Sequence, residues 1–246
     1  MSDKNLVSRL FEAGAHFGFK KARRHPTVTP FLYTTKEGSD VIDLAKTSEA
    51  LVAAKDTLKE AGSMGKTVLF VGTKDEVSKI VKAAAEKVEA PYVTNRWIGG
   101  MLTNFSEIKK RINRLETLTN EKTTGELDRK YTKKERVVIG REATKLEFNF
   151  FGISQLSKMP DMMVVVDPRH DSIAVAEANE KNIPVMAVMS TDGDASMIAY
   201  PVVANDALQS SVSLIVNELV TAYAEGKSAF VPKETTPVGN TRRRTA

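Results

Sequence analysis

Three short apolar runs limit what this chain can become: Thr67 to Val71 (TVLFV), Met162 to Val166 (MMVVV) and Pro184 to Met189 (PVMAVM). None of them alternates with polar residues, so each is expected to be a strand buried on both faces, as in a parallel sheet covered by helices on two sides. The first run leads through Gly72-Thr73-Lys74 into a helical pattern of Val77, Ile80, Val81, Ala84 and Ala85, and then into a strand over Pro91 to Val93. Strand, turn, helix and strand in that order form a βαβ unit. The fold class predicted is α/β, with a doubly wound, mainly parallel sheet.

The flanking segments are consistent with that class. Leu6, Val7, Leu10 and Phe11 recur at helical spacing after Ser2 and Asp3, which are suitable caps, and Gly14 ends the helix. Extended runs are expected over Phe31 to Tyr33 and Val41 to Leu44, joined by a Lys36-Glu37-Gly38-Ser39 turn. Thr47 is the expected cap of a helix carrying Ala50, Leu51, Ala54, Leu58 and Ala61 on one face and closed by Gly62 and Gly65. After the second apolar run come a helix over Ile173 to Lys181, a short strand near Val202 and Val203, and an amphipathic helix over Leu208 to Tyr223. The tail from Glu225, rich in Lys, Thr, Pro and Arg, reads as disordered.

The period changes between residues 104 and 150. Asn104 and Glu107 fit a capping box, and Ile108, Ile112, Leu115 and Leu118 mark a narrow apolar stripe. A polar linker around Gly125 precedes a second capping box at Thr132 and Glu135 and a helix with Val138, Ile139, Leu146 and Phe150. The expected organisation is a sheet domain of residues 1–103 and 151–224, an inserted antiparallel helical hairpin (a coiled coil) of 104–150, and a tail of 225–246.

The chemistry on offer is mostly electrostatic. The chain has no cysteine, which rules out disulfides, thiolate catalysis and cysteine-bound metal centres. No apolar run approaches the roughly 20 residues that cross a bilayer, and the N-terminus lacks an apolar signal core, so a cytoplasmic protein is expected. The net charge of +5 is unevenly spread, with +8 over the first 150 residues and −3 over the rest. That asymmetry suggests a basic side facing a polyanion. Lys20, Lys21, Arg23 and Arg24, interleaved with His16, Phe17, Phe19 and His25, suit RNA contact or a solvated loop. His16 and His25 have no partner at zinc spacing. Lys109, Lys110, Arg111, Arg114, Lys133, Lys134 and Arg136 decorate the hairpin, as RNA contacts or as a charged soluble surface.

The loop Val93 to Asn104 (VTNRWIGGMLTN) allows two readings. Gly99-Gly100 ahead of a helix start can turn N–H groups toward a phosphate, with Asn95, Arg96 and Trp97, the only tryptophan, holding a base or a phosphate beside it. Alternatively, Trp97 plugs the core and the glycines make a tight turn. Gly72-Thr73-Lys74 lacks the spacing of a P-loop, and no GxGxxG is present. Asp167 stands at a strand's carboxyl end, where α/β sheets place ligands. It could act with Asp192 or Asp194 in catalysis, or it could cap the next helix or pair with Arg169. A nucleotide-binding enzyme and a protein–protein scaffold therefore remain as alternatives to an RNA-binding protein.

Five segments together carry a resemblance: LFEAGAHFG (Leu10 to Gly18), VIDLAKT (Val41 to Thr47), VLFVGTK (Val68 to Lys74), NRWIGGMLTNF (Asn95 to Phe105) and Met159 to Val185 with its DPR motif. In this order they resemble the family of the bacterial small-subunit ribosomal protein numbered two. The resemblance implies a flavodoxin-like sheet with a helical hairpin inserted between strands, no catalysis and no cofactor. It also implies binding to small-subunit rRNA near the head–body junction on the solvent side, late assembly, and contact with neighbouring ribosomal proteins. Among these is the large mRNA-binding protein numbered one, which the family helps to recruit. The modest charge of +5 suits a peripheral position. Carried onto this chain, the RNA-facing residues would be Lys20 to Arg24, the loop Asn95 to Asn104 and the hairpin bases. The chain departs from the family's pattern at Phe19, where His is common, and at Ser190 to Ala195, where DTNCDP is frequent. It also lacks the second Asp after Asp206, and it has Ser210 and Ser213 where arginines are frequent.

Overall fold

The computed structural model describes residues 3–230. Helix α1 (Asp3–Glu12) leads into a small antiparallel sheet of β1 (Phe17–Lys20), β2 (Leu32–Lys36) and β3 (Ser39–Ile42), in the order β1-β3-β2. Then follow α2 (Leu44–Ser63), β4 (Val68–Val71), α3 (Asp75–Lys87) and β5 (Tyr92–Val93). Three helices, α4 (Phe105–Thr123), α5 (Glu126–Lys130) and α6 (Lys133–Phe150), intervene before β6 (Met162–Val166), α7 (Ser172–Glu180), β7 (Val185–Met189), β8 (Tyr200–Val203) and α8 (Gln209–Ala229). The five later strands form one parallel sheet in the order β5-β4-β6-β7-β8. Its first strand in sequence, β4, lies inside the sheet, with the second on one side and the rest on the other. This is the flavodoxin-like winding.

The apolar runs behave as their lack of alternation predicts, since every residue of β4, β6 and β7 is buried. Successive side chains point to opposite faces. Val68, Phe70, Val164, Val166, Met186 and Val188 pack under α2, α3 and α8. Leu69, Val71, Met163, Val165, Ala187 and Met189 share the other core with α7, Trp97, Leu102 and the seam of α4 and α6. In that seam Ile108, Ile112, Leu115 and Leu118 meet Leu146 and Phe150, and Arg114 Nε reaches Glu142 at 3.4 Å. Val138, expected in the seam, is exposed, because Ile139 and Ala143 take the inward positions.

Several local expectations are corrected. Helix α2 begins at Leu44 with Asp43 as its cap, whose Oδ1 accepts from the Ala45 N–H at 3.0 Å. Thr47 lies inside the helix, and its hydroxyl donates to the Val203 carbonyl, tying α2 to β8. The Asn104 side chain does not cap α4, and Glu107 pairs with Lys110 instead of reaching back. The box at Thr132 and Glu135 does form. The linker at Gly125 contains the short helix α5. Phe17 to Lys20 is a strand held by β3, a long-range pairing with no local period. Helix α8 runs to Ala229, so Glu225 to Ala229 are helical rather than tail; Ser2 and the arginines Arg242, Arg243 and Arg244 lie outside the described residues.

Helices α2 and α8 cross at two glycines. A Cβ at Gly226 would lie 2.1 Å from the Lys59 carbonyl oxygen, and one at Gly62 2.7 Å from that of Tyr223. Backbones this close have no room for a methyl group. Gly226→Ala should therefore cost about 1–3 kcal/mol by overpacking. Gly140→Ala, on an open face of α6 with nothing near the new methyl, should gain about 0.5–1 kcal/mol. Opposite shifts of the urea midpoint would verify the pair.

Candidate functional site

The tryptophan loop does bind an anion, but the anion belongs to the chain. Glu177, on α7, is buried beneath the loop. Its Oε1 accepts from Trp97 Nε1–H at 3.2 Å and from the Gly100 N–H at 2.8 Å. Its Oε2 accepts from the N–H groups of Leu102 and Thr103 at 2.9 and 3.1 Å, and from the Thr103 hydroxyl at 3.3 Å. Gly100 has φ of +89°, the left-handed backbone that brings its N–H round to the carboxylate. Burial pushes the Glu177 carboxyl up, but the backbone N–H groups and the indole outweigh it and hold it below the ordinary range. The reading of Trp97 as a stacking platform is corrected, since the ring is 8% exposed and packs in the core. Asn95 and Arg96 remain at the surface, with Asn95 Nδ2 donating to the Phe148 carbonyl at 2.6 Å.

The carboxyl ends of the parallel strands, where α/β sheets usually hold ligands, are closed the same way. The Thr73 N–H and hydroxyl donate to Asp171 at 3.1 and 2.7 Å, and Lys74 Nζ to Asp167 at 3.0 Å. A phosphate would need those donors. Asp167 has φ of +62°, and its Oδ1 accepts from the His170 N–H, so it caps the turn and pairs with Lys74 rather than with Arg169. Arg169 and Arg23 both go to Asp192, and Asp194 accepts from the Ser196 N–H. Behind them Asp206, 2% exposed, accepts from the Ser190 N–H at 3.1 Å. Burial first, and then the nearby Asp167 charge, push its carboxyl up to about 7 against the pull of Lys74.

The cations divide into two groups. Arg24 is structural: its Nε donates to the buried Asp40 at 2.7 Å, its Nη2 contacts both Asp40 and Thr35, and the pair holds the Asp40 carboxyl low against burial. Arg23 lies over the Phe19 ring at 4.6 Å while it bonds Asp192. Lys109 donates to the Ser157 carbonyl at 3.1 Å, Lys110 pairs with Glu107, and Arg114 with Glu142. Lys20, Lys21, Arg96, Arg111, Lys133 and Lys134 are exposed and have no ion-pair partner among the described residues.

The family model described as Ribosomal protein S2 matches residues 10–226 of the chain. The chain belongs to the ribosomal protein S2 family. It is 41% identical over 219 residues to small ribosomal subunit protein uS2 of Helicobacter hepaticus, covering 89% of this chain and 83% of that protein. It is 42% identical over 225 residues to uS2 of Petrotoga mobilis, covering 92% and 78%. It is also 36% identical over 228 residues to uS2c of Rhodomonas salina, covering 93% of each. As a member of the S2 family it is a structural, non-enzymatic constituent of the small ribosomal subunit, which also contains rRNA and other ribosomal proteins. No described helix is long and apolar enough to cross a membrane.

Sequence reasoning missed Glu177, Asp40 and Asp206. Glu177 left a trace, a charge among small and apolar residues in SIAVAEANE on a helix that must cover a sheet. Asp40 and Asp206 left none, since their partners are far away in sequence or lie in the backbone.

Two predictions follow from these carboxylates. Glu177→Ala strands the N–H groups of Gly100, Leu102 and Thr103 and the indole N–H, and should cost about 2–4 kcal/mol. Trp97 emission should move to longer wavelength as the loop opens. Because the folded-state value of Glu177 is depressed, its contribution is present above the ordinary carboxylate range and is lost as the pH falls through the lowered value. Asp206 has the opposite sign. Its raised carboxyl makes stability fall as the pH rises from the ordinary aspartate value to about 7. Asp206→Asn retains an oxygen for the Ser190 N–H and should flatten that slope, raising the urea midpoint at pH 8 more than at pH 4.

Proposed function

We propose that this chain binds small-subunit rRNA mainly through the cations that its own carboxylates leave unpaired. The observation that supports this is the division just described. The carboxylates at the sheet's ligand edge, under the tryptophan loop and at Asp40 of β3 take up the loop donors, Lys74, Arg24, Arg23 and Arg169, whereas Lys20, Lys21, Arg96, Arg111, Lys133 and Lys134 stand exposed and form no ion pair among the described residues. Lys110 and Arg114 belong to exposed pairs of little intrinsic worth, which a phosphate can displace. Asn95 and Asn104 are exposed as well and can donate to phosphate or sugar oxygens. Contacts of this kind recognise the shape of a folded RNA rather than a linear base sequence.

The family likeness supports the remaining parts of the proposal. The chain takes a peripheral place on the solvent side near the head–body junction, joins late in assembly, and helps recruit the large mRNA-binding protein numbered one. Residues 104–150 act as an inserted helical arm, with the α/β domain as its base. A charge of +5 accords with a peripheral seat, because a protein threaded through rRNA has more phosphate to neutralise.

The test is the salt dependence of binding to small subunits stripped of this protein. Lys20→Ala with Lys21→Ala, and Arg111→Ala alone, should each weaken binding and lower the slope of log affinity against log salt by about one per lost phosphate contact. Melting temperatures should barely move, since these side chains form no hydrogen bond or ion pair among the described residues. Slopes equal to that of the wild type in both variants would remove those cations from the interface.

A further inference from the structure

We propose that the cleft between the edge strand β5 and the C-terminal end of α6 receives a single unstacked base of the RNA, a contact that rests on the rRNA-binding reading above. The cleft has a volume of about 460 Å³, within the range that holds a small organic group. Phe148 and Phe151 line it and are 59% and 56% exposed. Residues three apart at a helix end project to the same side, so both rings line the one cleft, while Phe150 between them goes into the core. Neither ring belongs to either core cluster.

The walls carry hydrogen-bonding groups suited to a base edge. Thr94, Asn95, Thr144 and Asn149 line the cleft with the rings. Asn95 Nδ2 is held by the Phe148 carbonyl, which fixes the amide and leaves its oxygen as an acceptor. The floor is rigid, since a Cβ at Gly152 would lie 2.2 Å from the Tyr92 carbonyl oxygen and the Tyr92 hydroxyl is committed to Glu86. Glu147, also in the lining, accepts from base N–H groups and repels a phosphate. The base therefore enters while its phosphate stays outside; Lys82 lines the cleft, exposed and 3.9 Å from Glu86, and the exposed Arg96 follows the cleft residue Asn95 in the chain. Two exposed rings, the fixed amide of Asn95 and the cation of Lys82 match a nucleotide better than an aliphatic side chain, which has no use for the polar walls.

The discriminating experiment compares Ala, Leu and Tyr at position 148, and again at 151, in binding to small subunits stripped of this protein. Stacking predicts that Phe148→Ala and Phe148→Leu both weaken binding, by about 5- to 150-fold, while Phe148→Tyr retains affinity. The salt slope should stay at the wild-type value, because no phosphate contact is lost. Chemical probing of the rRNA should show a base protected by the wild type and by Phe148→Tyr that becomes reactive with Phe148→Ala. Recovery of affinity by Leu would overturn the proposal in favour of an apolar contact with protein, and so would equal affinity of all variants. Unchanged melting temperature and Trp97 emission should accompany the loss; a ring that proves to hold the fold would show itself by lowering both Ala and Leu melting points. If the wild type does not bind the rRNA, the parent reading fails. If it binds with its full salt slope and the ring variants match it, only the cleft fails.

Discussion

Every residue of β4, β6 and β7 is buried, and that constraint governs where polar chemistry can stand in this protein. A parallel sheet covered on both faces has no place for a charge between its layers, so polar groups collect at the carboxyl ends of the strands. Many α/β proteins leave a vacant crevice there for a ligand. Here Asp167, Asp171 and Asp206 occupy it, and they take up the donors of the Gly72-Thr73-Lys74 turn and the Ser190 N–H.

The tryptophan loop repeats the same solution on the other side of β4. Its glycine-turned N–H groups make an anion site, and Glu177 fills it from α7. This carboxylate joins the cover of the sheet to the loop that launches α4, so the start of α4 is held by a buried hydrogen-bond cluster rather than by a local cap at Asn104, which does not form. A scaffold that satisfies its own donors has little left for small-molecule chemistry. Its outward-facing cations and exposed rings stay at the surface, and the chain belongs to a ribosomal protein family.

Much of the fold could be read from local pattern. Unbroken apolar runs specify buried strands, the helical spacing from Val77 to Ala85 specifies the crossover helix, and the seam from Ile108 to Leu118 specifies α4. Errors arose where one local signal competes with another. Thr47 is a fair cap, but Asp43 stands closer to the end of β3 and wins the helix start. Phe17 to Lys20 has no strand period of its own because it is held by pairing with a distant strand, Phe17 with Val41 and Lys20 with Ser39. Of the residues expected at an RNA surface, Arg24 and Trp97 are the ones whose side chains turn inward, and composition is blind to that difference.

From its order of residues alone, the chain carried its layers, its sheet class and the charged helices between β5 and β6, because hydrophobic period is a property of neighbours a few positions apart. Which polar groups remain available is a property of residues brought together from distant positions. Glu177 meets Gly100 across 77 residues, Asp171 meets Thr73 across 98, and Thr191 meets Phe19 across 172. Only folding brings those carboxylates and hydroxyls to their donors. That is why the loop, the turn and the basic segment each looked like a ligand site in the sequence, and why, once folded, they largely satisfy themselves.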